Sequence, residues 1–202
     1  VRESNGDIRF QGIDVAKKDW VESAVLASKA VSLVKTAAPA DANVNSAGYL
    51  QSKRAAISVR ALVLRRVVAK VDPSKAAEAF DANREYYELE TDPAKKAKIR
   101  GETLQALFDG GAIDLVTPEA RKVLVEDPDN PDANRVLGLA LFASGEKANF
   151  QEAANYLQRY VDKAPDTDPL KASAKESLEY LKTAENVTPQ RNPPPRAPRR
   201  RP

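Results

Sequence analysis

The stretch NPDANRVLGLALFASGEKANFQEAANYLQRYVDKAP, residues 130–165, decides how this chain reads. Asn130 is a capping residue type and Pro131 follows it. A cap side chain accepts from free first-turn N–H groups, and proline at the first helical position has no N–H to leave unpaired. The apolar run that follows predicts a helix from Pro131 to about Ser144, stopped by Gly145. A second helix is expected from Phe150 to Lys163, ending at Pro165. Two helices joined by a short glycine turn make an antiparallel hairpin.

Working outward, the same start recurs. Asp92-Pro93, Asn130-Pro131 and Asp168-Pro169 stand 38 residues apart each time. Periods of 20–50 residues mark stacked repeat architectures, which mostly bind other proteins. Asp92-Pro93 predicts a helix to Asp109, stopped by Gly110-Gly111, and Asp168-Pro169 predicts one to about Glu185. Thr117-Pro118-Glu119 reads as the start of a short helix to about Glu126.

Three further helices are expected before residue 91. Trp20, Ala24, Ala27, Val31 and Val34 recur at three- and four-residue steps, predicting a helix from about Val15 to Thr36 that ends at Ala38-Pro39. After a polar loop from Ala40 to Asn45, a longer helix is expected from Ser46 to Val71, with Tyr49, Ala56, Val59, Val63 and Val67 on one side. Lys53, Arg54, Arg60, Arg65, Arg66 and Lys70 surround it. Asp72-Pro73 opens a helix to about Glu90, with Ala76, Phe80, Tyr87 and Leu89 inward. Residues 1–13, polar and holding Gly6 and Gly12, read as an extended arm.

Residues 131–165 resemble a tetratricopeptide repeat. Leu137-Gly138, Leu141, Gly145, Phe150, Ala153, Leu157 and Pro165 follow the order of that family's small-residue signature. The sequence departs from it by about three extra residues after Gly145, and by Tyr160 where the family prefers alanine. The resemblance implies stacked antiparallel helical hairpins: an all-α, α-solenoid architecture. The expected organisation is an arm (1–13), a helical region (14–90), hairpins with a capping helix (91–185) and a tail (186–202). In the family, exposed positions of each first helix line a concave peptide-binding face, which here implies a groove at Arg135, Leu139 and Phe142.

Composition restricts the chemistry. Of 202 residues, 42% are hydrophobic and 30% charged, with no Cys, His or Met. Thiolate nucleophiles and imidazole acid–base catalysis are therefore ruled out, along with most zinc sites. No nucleophile–base pair appears, and Glu85/Glu88 and Glu176/Glu179 read as surface charge at helical spacing. An enzyme, a cofactor, a metal and a small-molecule substrate are not expected. Nucleic acid is not expected either, because the basic helix lacks stacking aromatics and its cations encircle it.

The net charge of +3 comes from one place: residues 191–202 hold Arg191, Arg196, Arg199, Arg200 and Arg201 and no acid. Without them, 27 of the 32 basic residues remain against 29 acidic ones. The tail includes a PxxP segment followed by arginines, and Pro194, Pro195, Arg196, Pro198, Arg199 and Arg200 are its candidate partner-binding residues. A polyproline II strand loses little entropy on docking. Glu176, Glu179 and Tyr180 are candidate receivers.

The expected function is a non-catalytic interaction or scaffold module whose partner is other copies of itself, with arm and tail linking a ring or filament. The alternatives are an accessory subunit of a heteromeric complex and a monomeric peptide-binding adaptor. No apolar stretch is long enough to span a membrane. The start at Val1 suggests processing, and with it an extracytoplasmic or secreted location.

Overall fold

Capping, apolar periodicity and glycine stops produce eight α-helices in the computed structural model, which describes residues 2–4, 7–9, 17–36 and 47–190. They are α1 (Lys17–Thr36), α2 (Ala47–Lys70), α3 (Ala76–Leu89), α4 (Pro93–Asp109), α5 (Ile113–Glu126), α6 (Pro131–Ala143), α7 (Lys147–Lys163) and α8 (Lys171–Ala184). The other regular elements among the described residues are a 3-10 turn, Pro73–Lys75, and a short antiparallel pair, β1 (Arg2–Ser4) with β2 (Asp7–Arg9), inside the expected arm. The Ala38-Pro39 stop, the polar loop after it and residues 191–202 lie outside the described residues.

The chain forms two compact units, Val1–Leu115 and Val116–Pro202. The first takes in α4, which the sequence grouped with the helices after it. Its centre is α2, packed by α1, α3 and α4. Ile57, Ala61, Val63, Leu64, Val67 and Val68 are all buried, so a wide face of this helix is apolar and packed. On α1, Ala27 and Val31 are buried and Trp20, Ala24 and Val34 half-buried, as the stripe predicts. On α3 the core side differs from expectation. Ala76, Ala79, Ala82 and Asn83 are buried, while Phe80, Tyr87 and Leu89 are only half-buried. Small residues let α3 lie close to α2, and the larger ones sit at the rim.

Three of the six cations on α2 are met by carboxylates from α3, α4 and the link between them. Arg54 pairs with Glu90, Arg60 with Glu78 at 3.5 Å and Arg65 with Glu102 at 2.7 Å. Buried between the helices, Arg65 also donates to Asn83 Oδ1 at 2.8 Å, and Asn83 Nδ2 donates to Ala61 O and Ala79 O. Half of the cations of the basic helix are thus paired inside its own unit.

The second unit is built on α6 and α7, with α8 packed on both. Asn130 caps α6 by accepting from Ala133 N, as Asp92 caps α4 from Ala94 N and Lys95 N. Gly138 permits the closest approach of α6 to α7. A Cβ there would fall 2.7 Å from Leu157 Cγ and 3.1 Å from the Leu157 backbone N. Gly145 turns the chain at φ +70, a conformation that favours glycine.

Four expected starts shift. Asp72-Pro73 opens the 3-10 turn, and α3 follows from Ala76. The helix after Gly145 begins at Lys147, three residues before Phe150. Pro118 lies inside α5 rather than at its start, because the helix already begins at Ile113. Pro169 does not open α8. Asp168 instead makes a turn, accepting from Leu170 N and, on its other oxygen, from the Tyr160 hydroxyl at 2.7 Å. Tyr160 therefore fits where alanine was expected: its ring is buried and its hydroxyl has an acceptor. Burial and the adjacent carboxylate push the Tyr160 hydroxyl well above its ordinary pKa.

Candidate interaction surfaces

Helix α1 carries a second apolar face. The first, Ala27 and Val31, packs on α2; the second points away, with Val25 63%, Leu26 66% and Leu33 57% exposed. Val21, at 45%, borders it. Glu22, Leu26, Lys29 and Leu33 recur at alternating four- and three-residue steps, and all four are exposed. That spacing lays them along one line of the helix, the seam by which helices pair. Large contiguous exposed apolar surface on a folded chain marks an interaction site.

The expected groove on α6 has a different character. Arg135 is only 3% exposed, its guanidinium 5.8 Å from the centre of the Tyr160 ring and 3.7 Å from Asp132. Leu139 and Phe142 are half-buried. The Phe142 ring packs against Phe150 and against Tyr180 of α8, at 5.9 and 5.6 Å between centres. Arg135 and Phe142 thus pack against α7, and Phe142 also against α8. The expected tail residues Pro194, Pro195, Arg196, Pro198, Arg199 and Arg200 lie outside the described residues.

What leads to that tail is described. Asn186 adopts the left-handed conformation, φ 55, and reverses the chain after α8. Residues 187–190 then run beside α7. Thr188 O accepts from Gln151 Nε2 at 2.9 Å, and Gln190 N donates to Asn155 Oδ1 at 2.8 Å. Pro189 lies over a shallow cleft that Glu176 and Glu179 also border. Two of the three candidate receivers of the tail thus adjoin its first residues.

Glu90 is the most strongly perturbed carboxylate of the first unit. It is buried, pairs with Arg54, and accepts from the backbone N–H groups of Thr91 and Asp92. The Arg54 guanidinium, then those N–H groups, hold its pKa down at about 2, against an ordinary 4.5. A carboxylate whose folded pKa is depressed stabilises the fold above its unfolded pKa, and that contribution disappears as pH falls through the folded value. The window here is pH 4.5 down to about 2. Glu90→Gln is expected to lower stability at pH 7 and to flatten the loss across that window. Urea titrations of both proteins at several pH values check this, and parallel acid profiles would refute it.

Sequence reasoning missed the outward face of α1 and the contact of residues 187–190. The first was findable, since Val21, Val25, Leu26 and Leu33 are surplus to the stripe that packs on α2. The second depends on where α8 ends relative to α7, which no local pattern encodes. Among the described residues, no group of three or more acidic side chains is placed to hold a metal ion, and no helix is long and apolar enough to cross a membrane. Compared with protein-family models, curated proteins and solved structures, the chain matched none.

Proposed function

We propose that this protein is a non-catalytic interaction module that assembles with further copies of itself, and that α1 is the contact. The observation that carries the reading is the outward face of Val25, Leu26 and Leu33. Its charges favour a second copy. Glu22 and Lys29 lie equally far on either side of the Val25–Leu26 step. In an antiparallel pair of α1 helices with the two-fold axis at that step, Glu22 of each copy meets Lys29 of the other, and Val25 meets Leu26. A parallel pair would set Glu22 against Glu22 and Lys29 against Lys29. Such a two-fold contact is self-complementary and closes on itself. Growth to a ring or filament requires another contact, and in this reading the Pro/Arg-rich tail supplies it.

In the same reading α6 and α7 are a tetratricopeptide-like hairpin and α8 its capping helix. Support comes from the approach at Gly138, from Gly145 in the turn, and from the full burial of Leu137, Ala153 and Leu157.

The test is the molar mass of the full chain by light scattering over a range of concentrations. A mass of at least twice 22.0 kDa is expected. The Leu26→Glu, Leu33→Glu variant replaces only exposed side chains and is expected to run at the mass of one chain. A single-chain mass for the unaltered protein throughout would reject assembly and leave an accessory subunit or an adaptor.

A further inference from the structure

The exposed side of α7 carries a ladder of side chains spaced for an extended peptide, and only its first two rungs are accounted for. Gln151 donates to Thr188 O and Asn155 accepts from Gln190 N. These side chains stand four helical residues apart and engage chain positions two apart. Four residues of helix rise about 6.0 Å, and two residues of polyproline II chain span about 6.2 Å. The two rises are similar, and an i, i+4 row turns about 40° around the helix at each rung, so a segment that follows it winds about α7.

The next residues at the same spacing are Arg159 and Lys163. Gln190 lies at the edge of a cleft of about 470 Å³ lined by Asn155, Gln158, Arg159, Asp162, Lys163 and Asp129. The chain is heading into it, since positions 188 and 190 advance toward the C-terminal end of α7. Carried on past Gln190, that row would set Arg159 opposite residue 192 and Lys163 opposite residue 194. Both side chains are donors only. Residues 193–195 are all proline, with no N–H and only carbonyls to offer. The donors on the helix therefore suit the acceptors on the segment. Asp129 and Asp162, at the same cleft, suit the positive charge of Arg191. The present partners of the two rungs leave capacity. Arg159 makes a 3.4 Å contact to Pro128 O, one of five possible donations, and Lys163 a 3.1 Å exposed pair with Asp129.

We propose that this face of α7 is a binding site for an extended, proline-containing segment, and that its occupant is the chain's own residues 191–195, read through the Asn192 and Pro194 carbonyls by Arg159 and Lys163. The inference is independent of the α1 contact, and it leaves only the tail from Arg196 onward for a contact with a further copy. Its consequence is that the arginines from Arg196 onward leave the body at a fixed point.

Trypsin tests this on the full chain, because it cuts after Arg191 and after Arg199. The ratio of the two rates is compared with that in a free peptide of residues 187–202. Two hydrogen bonds of ordinary net strength are expected to slow cutting after Arg191 by roughly tenfold relative to the peptide. Arg159→Ala with Lys163→Ala is expected to restore the peptide's ratio. Gln190→Pro, which removes the donor to Asn155 without touching a helix, is expected to do the same against a peptide of its own sequence. A wild-type ratio equal to the peptide's, or protection that survives both variants, would overturn the proposal. Protection that grows with protein concentration would overturn the own-chain occupant, because the segment would then come from a neighbouring copy.

Discussion

Arg65→Ala is expected to cost the first unit about 3 kcal/mol, because it removes one member of a buried charged network and strands another. Arg65 sits between α2, α3 and α4. It gives one N–H to Asn83 Oδ1 at 2.8 Å and pairs with Glu102 at 2.7 Å. Burial pulls its pKa down, and the Glu102 charge partly restores it. Asn83 in turn spends its amide on the Ala61 and Ala79 carbonyls. Either partner removed alone leaves the other buried without its match, so Asn83→Leu is expected to cost about 2 kcal/mol. Replacing both, as Arg65→Met with Asn83→Leu, exchanges the polar contact for an apolar one and is expected to recover most of the loss. Urea unfolding of the three variants gives the coupling directly. Strict additivity would show that the network is not the unit that holds α3 on α2.

The second large effect is expected at the closest helix crossing of the other unit. Gly138→Ala places a methyl group 2.7 Å from Leu157 Cγ and 2.9 Å from its Cδ2. The backbone N of Leu157, 3.1 Å away, limits how far the side chain can yield. Overpacking of this kind costs about 2 kcal/mol. Leu157 is fully buried, so Leu157→Ala alone is expected to cost about 3 kcal/mol through lost burial and a cavity. Together the two changes are complementary, since the new methyl enters space the leucine has left. The double variant is expected to be more stable than the sum of the single losses predicts, read from the same urea curves. A double loss equal to that sum would mean that α6 and α7 do not meet as closely as the glycine implies.

Local chemistry made much of the helical architecture legible. Asp92 and Asn130 cap as their residue types and following prolines require. The α1 stripe and the central position of α2 follow from periodicity and from a wide apolar face. Errors arose where a tertiary contact outranked a local signal. Asp168 carries the same cap-and-proline signature, yet its side chain is engaged by Tyr160, eight residues back, and α8 starts later. Pro118 signals a start, but the turn after Gly111 had already begun the helix. At the candidate sites, Arg135 read as a groove residue because its position on α6 matches a family pattern. Its guanidinium lies against the ring of Tyr160, the residue that stands where that pattern prefers alanine. The outward residues of α1 were visible in the sequence, but only the completed packing of α1 on α2 shows that they are left over.

The most direct test of the central claim uses the absence of cysteine from the sequence. Single-cysteine variants Leu26→Cys and Leu33→Cys are oxidised gently and their chain masses compared under denaturing conditions. In the antiparallel α1 pair, residue 26 lies beside the two-fold axis, within the distance a disulfide spans. The two copies of residue 33 are about 22 Å apart along the helix axis, too far for a disulfide. Leu26→Cys is therefore expected to give a covalent dimer and Leu33→Cys to remain a single chain. Equal cross-linking of both, or of neither, would contradict the α1 contact on which the proposed assembly rests.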